Sequence, residues 1–116
     1  MEAARVFSVS DFVQVSAGEP IRSVVSESAD AVIVMWHVLP GQCIRPHVHP
    51  GGQDSWVVLA GAAEYWLDAT GKTQPVAAGD IVVAYAGQVH GAFNRGEQPF
   101  QFVSVVSPGN AGYQLA

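Results

Sequence analysis

Short apolar runs rich in Val, Ile, Phe, Trp and Tyr, each ended within a few residues by Gly, Pro, Asn or Asp, are what most constrain the fold of this chain. β-Branched and aromatic side chains suit a pleated, half-buried surface, and punctuation this frequent stops a helix from growing past its costly first turn. The runs predict strands over residues 12–15, 23–26, 31–39, 47–49, 55–60, 64–67, 74–76, 80–84, 91–94 and 100–106. Turns fall at Pro40 and Gly41, Gly51 and Gly52, residues 69–72, and Ala86 and Gly87, because Gly supplies the positive φ that tight connections need. The expected class is therefore all-β, a sandwich or barrel.

No internal repeat, linker or low-complexity segment divides the sequence, so residues 1–116 are expected to form a single domain, and 49% hydrophobic residues can fill its core. A net charge of −5 with only five Lys and Arg argues against nucleic acid or an anionic membrane surface as the main partner. No run is long enough to span a bilayer, and the first residues lack the basic and apolar regions of a secretory signal. The single cysteine, Cys43, excludes an internal disulfide and suits a reducing compartment. A cytoplasmic location is the expectation.

Three of the four histidines lie in two glycine-bounded segments. The first runs from Gly41 to Gly61 and carries His47, His49, Gln53 and Asp54; the second runs from Gly79 to Asn94 and carries Tyr85, Gly87 and His90. Residues i and i+2 of a strand project to one face, so His47 and His49 can act together, with His90 arriving from a later hairpin. Three imidazoles and one oxygen ligand make a first shell for a metal ion.

At these residues the chain resembles the cupin superfamily, whose motifs have the form G-x5-H-x-H-x(3 or 4)-E-x6-G and G-x5-P-x-G-x2-H-x3-N. Both match in spacing, with Asp54 in place of Glu and Tyr85 in place of Pro. The resemblance covers residues 41–94 directly and implies a double-stranded β-helix, or jelly-roll, barrel. It also implies one divalent transition metal ion (Fe, Mn, Ni, Cu or Zn) held by His47, His49, His90 and a fourth ligand. Asp54 is favoured for that place, since it keeps the six-residue spacing to Gly61 and brings a charge; Gln53 is the alternative, through its amide oxygen. Adjacent strand residues face opposite ways, so the two are not expected to ligate together. Residues 1–30 fall outside the motifs. By resemblance they add an edge strand, sometimes to a neighbouring subunit, and a homodimer is expected.

Other residues have plainer readings. His37, in the apolar run with Trp36 on the opposite face, reads as structural or surface. Arg45 shares the parity of His47 and would point a guanidinium at the barrel mouth, where an anionic group would suit it; Pro46 and the nearby turn weaken that parity, and an exposed Arg is the alternative. Trp56, two residues after Asp54, is the expected pocket wall; Met35, Trp66, Tyr85 and Phe102 are further lining candidates, and Cys43 is a small buried residue without a role. Glu64 and Tyr85 are candidate proton-transfer groups. Asn94 is expected to fix a turn through its side chain. The function these features imply is a metal-dependent enzyme acting on a small oxygenated molecule, dioxygenase-like or isomerase- or decarboxylase-like. The alternative is a non-catalytic metal- or ligand-binding module, because this fold hosts both.

Overall fold

The structure, a computed structural model, describes residues 3–116; residues 1–2 of the N-terminal segment lie outside the described part. Ten strands form: β1 (Ser23–Glu27), β2 (Val32–Val38), β3 (Cys43–Val48), β4 (Gln53–Ala60), β5 (Ala62–Trp66), β6 (Thr73–Ala77), β7 (Ile81–Ala84), β8 (His90–Phe93), β9 (Phe100–Ser107) and β10 (Gln114–Leu115). They make two antiparallel sheets of five, in the orders β1-β2-β9-β4-β7 and β10-β3-β8-β5-β6. Every connection crosses between the sheets except β1 to β2 and β5 to β6, which join neighbours within one sheet. This alternation is the double-stranded β-helix that the motifs imply.

Period-two alternation sorts each strand into an inward and an outward set. On β4 and β9 the paired positions Trp56 with Ser104 and Val58 with Phe102 face inward. Trp56 stacks on Phe102 at 3.9 Å between ring centroids and meets Tyr65 edge-on at 5.2 Å. Around them Val38, Ile44, Ala63, Val76, Ala92 and Phe100 close a contiguous core. Each large side chain so buried contributes roughly 1.5–3 kcal/mol over its exposed state.

Two glycines are dictated by space. Gly61, between β4 and β5, has φ +74°, and a side chain there would run into the Pro99 carbonyl. Gly91 lies on β8 against a bulge in β3, where the pairing steps from Ile44↔Ala92 to His47↔His90 and one extra residue is absorbed. A Cβ on Gly91 would sit 2.5 Å from the Ile44 carbonyl oxygen. The bulge lets Ile44 and His47 both be buried, although simple alternation would set them on opposite faces.

Two expectations need correction, and one strand was not expected. No strand forms over residues 12–15; a turn of 3-10 helix at Val9–Asp11 leads into irregular chain. The Ser23 hydroxyl donates to the Phe12 carbonyl (2.6 Å), and Phe7, Val9 and Phe12 lie against Val25, Ile33, Met35 and Val103 on the outer face of the first sheet. Partial apolar cover on that face and hydrogen bonds with Ser23, rather than edge pairing, hold the segment. The strand at residues 47–49 begins earlier, at Cys43, and His49 lies just beyond its end. The pair β10, too short to carry a pattern, adds itself to β3 opposite His47 and Val48.

Candidate metal centre

Asp54 from β4, His47 from β3, His90 from β8 and His49 from the loop after β3 converge at one end of the barrel. One potential ligand atom from each lies within 4.8 Å of all the others. Ligands on opposite sides of an ion with ~2.1 Å bonds are ~4.2 Å apart, so the cluster is close to the size of a single-ion cage. His47, Asp54 and His90 are buried and His49 is half-buried.

The second nitrogen of every imidazole is already committed. Nδ1 of His47 faces the Arg45 carbonyl (2.7 Å), Nδ1 of His49 the Gly112 carbonyl (2.7 Å) and Nδ1 of His90 the Gln88 carbonyl (3.0 Å). A carbonyl only accepts, so each Nδ1 carries the proton and donates it. Each neutral ring is thereby left with its lone pair on Nε2. Nε2 of His49 and of His90 lie 3.2 and 3.0 Å from Oδ2 of Asp54, whose Oδ1 accepts from the Ser104 hydroxyl at 2.6 Å. Two lone pairs aimed at a carboxylate repel unless a cation stands among them. The cage is built to be completed by a proton or by a metal ion.

Charge and burial set the titration behaviour. Burial pushes His47 down to about 4, helped by neighbouring His90 and only partly opposed by its bond to the Arg45 carbonyl. Burial also works against a charge on His49, but hydrogen bonds to Asp54 and to the Gly112 carbonyl outweigh it and raise its pKa. Burial alone would raise Asp54; the bonds from His49, His90 and Ser104 overcome it and hold the carboxyl well below the usual range. Asp54 therefore remains anionic, which suits a ligand of a divalent ion.

Of the two candidates for the fourth ligand, the structure brings in Asp54. Gln53 is exposed on the opposite side of β4, with its amide near the Ser55 hydroxyl (3.4 Å). The cage opens into a cavity of about 760 Å³ whose wall includes Val32, Val34, Trp36, Ile44 and Trp56. Trp56 is the pocket wall expected, 1% exposed and 6.0 Å from the His90 ring. Arg45 also lines the cavity while remaining solvent-exposed. Arg45 lies within the β3 bulge, between Ile44 and His47, and lines the cavity with Cys43, His47 and His49.

Other candidates do not reach the cavity. Tyr85 is 62% exposed on the turn after β7, where its backbone N–H donates to the Gln88 side chain (2.9 Å). It stands at the motif's Pro position and makes a turn, not a wall. Glu64 faces away from the interior, since its neighbours Ala63 and Tyr65 are the inward residues of β5. Met35 lies under the N-terminal segment, while Phe102 and Trp66 are away from the cavity lining. His37 is the structural histidine expected, buried on the outer face with Nδ1 accepting from the Gln101 amide (2.8 Å). Asn94 fixes its turn as expected, donating to the Val38 and Gln98 carbonyls and accepting from the Gly96 N–H. Cys43 is half-buried in the cavity wall.

Four participants were not legible beforehand. Ser104 orients Asp54 from β9; the Gly112 carbonyl orients His49; the Tyr113 ring lies 5.1 Å from His47 and 6.1 Å from His49; and Arg22 lines the cavity. All lie outside residues 41–94. Ser104 alone carried a signal, as a polar residue at an inward position of an apolar strand.

Comparison with known proteins agrees with this geometry. Residues 34–106 match the Cupin domain family. A conserved protein with a double-stranded β-helix domain from Klebsiella pneumoniae is 57% identical, with a TM-score of 0.95 and 98% of each chain covered. Germin-like protein 9-3 of Oryza sativa subsp. japonica is 39% identical over 76 residues, which cover 63% of this chain and 36% of that one. The chain thus spans about a third of the length of the curated relatives it matches. An oxalate oxidase in complex with the substrate analogue glycolate is 25% identical, with a TM-score of 0.64, over 75% of this chain and 46% of that one.

Proposed function

The chain belongs to the Cupin domain family, and on that premise we propose that it is a metal-dependent enzyme acting on a small oxygenated molecule, with dioxygenase-like or isomerase- or decarboxylase-like chemistry. The observation that carries the proposal is the lone-pair geometry. Three Nδ1 protons committed to carbonyls leave three Nε2 acceptors gathered with one carboxylate oxygen of Asp54. Four acceptors in a buried cage suit a divalent transition metal of the series Fe, Mn, Ni, Cu or Zn, bound by His47, His49, Asp54 and His90.

Bound there, such an ion polarises an oxygen group or supports redox chemistry at its open positions. The chain's own residues do the rest. Ser104 holds Asp54 in its rotamer, the three carbonyls hold the rings, and Trp56, Val34 and Ile44 keep the adjoining space apolar. Tyr113, whose ring lies beside His47 and His49, is the candidate for handling a proton in place of Tyr85 and Glu64.

One observation favours a second reading, a non-catalytic binder: among the described residues Asp54 and Glu19 are the only carboxylates lining the cavity, and Asp54 is engaged in the cage. Elemental analysis of protein purified without chelators, beside a His47→Ala/His49→Ala variant, tests the proposal. Near-stoichiometric iron, copper or manganese, lost in the variant, leads to oxygen-consumption assays; zinc or nickel leads to non-redox assays. No metal after reconstitution sinks it.

Two further parts of the proposal are a cytoplasmic location, in keeping with the lone thiol of Cys43, and a homodimer. The N-terminal edge strand is not its basis. On the outer face of the first sheet Val57 pairs with Ile81 beside Ser55 and Val83, and Val57, Leu59, Ile81 and Val83 remain exposed. A second copy of that face would cover them. Sedimentation of the wild type and an Ile81→Lys variant checks this, with the variant expected as the lighter species.

A further inference from the structure

Arg22 and Arg45 account for two of the chain's five Lys and Arg residues, and both line the metal cavity. Neither has a carboxylate within ion-pair distance: among the described residues the only ion pairs are those of His49 and His90 with Asp54. Glu19 lines the same cavity without neutralising either guanidinium at contact. The two arginines offset Glu19 and Asp54, so a bound divalent ion leaves the lining positive in a chain of net charge −5.

A second observation lies deeper. Nε1 of Trp56 is the one buried side-chain nitrogen or oxygen among the described residues without a hydrogen-bond partner. Its residue is 1% exposed, lines the cavity and packs 6.0 Å from the His90 ring. A buried indole N–H normally finds an acceptor, and leaving one unpaired costs free energy. The same cavity wall carries the apolar side chains of Val32, Val34, Trp36 and Ile44.

We propose that the cavity takes a small organic acid, with its oxyanion paired to Arg22 and Arg45 at the mouth, an apolar body against Val34, Trp36 and Ile44, and an oxygen at the inner end accepting from Trp56 Nε1 beside the metal cage. This rests on the reading of the site as a metal centre and names its substrate class. A planar guanidinium matches carboxylate and phosphonate alike, and the wall excludes a highly hydroxylated body. Trp56 is then a specificity residue: its donor goes unpaired when the inner end of the ligand has no acceptor.

The test is titration calorimetry on the full chain, metal-loaded and chelator-treated, with metal content measured in each sample. The probes are benzoate, its neutral isostere benzamide, 4-hydroxybenzoate and phenylphosphonate. Benzoate is expected to bind at least tenfold tighter than benzamide. Arg22→Gln and Arg45→Gln should each weaken benzoate about tenfold while leaving benzamide and metal content unchanged, with the loss smaller at high salt. Trp56→Phe, which keeps the ring and removes the donor, should abolish the preference for 4-hydroxybenzoate over benzoate. Phenylphosphonate separates the sources: tighter binding than benzoate makes the natural group a phosphate or phosphonate, weaker binding a carboxylate. Benzamide equal to benzoate, or benzoate affinity that falls with metal removal but with neither arginine variant, overturns the proposal. Arginine-dependent benzoate binding in protein that never takes up metal sinks the metal-centre reading and leaves the organic-acid site standing.

Discussion

The two ends of the barrel interior are built from the same strands and do opposite things. On β9 the inward residues run Phe100, Phe102, Ser104; on β4 they run Val58, Trp56, Asp54. At one end Phe100, Phe102 and Val58 pack with Val38, Tyr65 and Val76. At the other, one pleat further along each strand, Ser104 bonds Asp54 and the histidines gather. The change from hydrocarbon to ligand takes place between Phe102 and Ser104 on one strand and between Trp56 and Asp54 on its neighbour. The packed end fixes where the strands lie, and the polar end can then hold like-charged or lone-pair-bearing groups in contact.

That division predicts which variants fail to fold and which only fail to bind. The largest effect should come from the packed end: Phe100→Ala is expected to cost about 3–5 kcal/mol, seen as a chemical-denaturation midpoint shift, while saturating metal still binds one ion per chain. Loss of metal stoichiometry with no loss of stability would break the comparison. Next comes the metal itself. Free ion at about a hundred times its dissociation constant should stabilise the wild type by about 2.7 kcal/mol and raise its melting temperature by about 10 °C. The His47→Ala/His49→Ala variant should show no such rise.

How much of this was legible in the sequence follows the same division. The inward alternation of β4 and β9 and the spacing of His47, His49, Asp54 and His90 could be read directly, because strand parity and motif spacing are local. Parity failed where the chain leaves regular geometry. Arg45 appeared to share a face with His47, but the bulge opposite Gly91 makes Ile44 the neighbouring buried residue. Tyr85 looked like a cavity residue and sits on an outer turn. The apolar run at residues 12–15 looked like a strand, whereas Phe12 joins Phe7 and Val9 beside Met35 and Ile33 and Val15 is left exposed. Gly112 and Tyr113 reach the cage only because the segment after β9 folds back over β3, a tertiary fact no short window contains.

Smaller effects sharpen the boundary. Ser104→Ala leaves the cage atoms in place and removes the bond that orients Asp54, so metal affinity should fall 10–100-fold in competition against a chelating dye, and the buried carboxylate left one donor short should cost about 1–3 kcal/mol of stability. Acid should also act on the cage before the packed end. In metal-free protein His47 takes its proton near 4 when folded and near 6.5 when unfolded, so between those values the unfolded chain binds more protons. Stability should therefore fall as pH drops from 6.5 to 4, and Asp54, held low, extends the fall below its ordinary value. His49 runs the other way, its stabilising charge present below 6.5 and lost as pH rises through its elevated pKa. Thermal melts of chelated protein should place the maximum near pH 6–7, and saturating metal should reduce the acid slope at pH values where the ion stays bound.

The smallest expected effect is at the boundary residue with the most ambiguous sequence. Gln53 and Asp54 are neighbours, and either fits the loose spacing that follows His49. Alternation on β4 turns one out and the other in: Gln53 pairs across to Ser107 on the rim while Asp54, paired to Val106, meets Ser104 and both histidines. Gln53→Ala should change stability by less than about 0.5 kcal/mol and leave metal content intact. Asp54→Asn, nearly the same shape, keeps an oxygen acceptor but removes the charge that holds the cage together, and metal should be lost at concentrations where the Gln53 variant remains full. Equal metal loss in the two variants would mean that β4 shifts register on binding. A one-residue slip would exchange the inward and outward sets of the whole strand, Trp56 included, so unchanged tryptophan fluorescence on addition of zinc, a closed-shell ion that does not quench it, checks the register in the same samples.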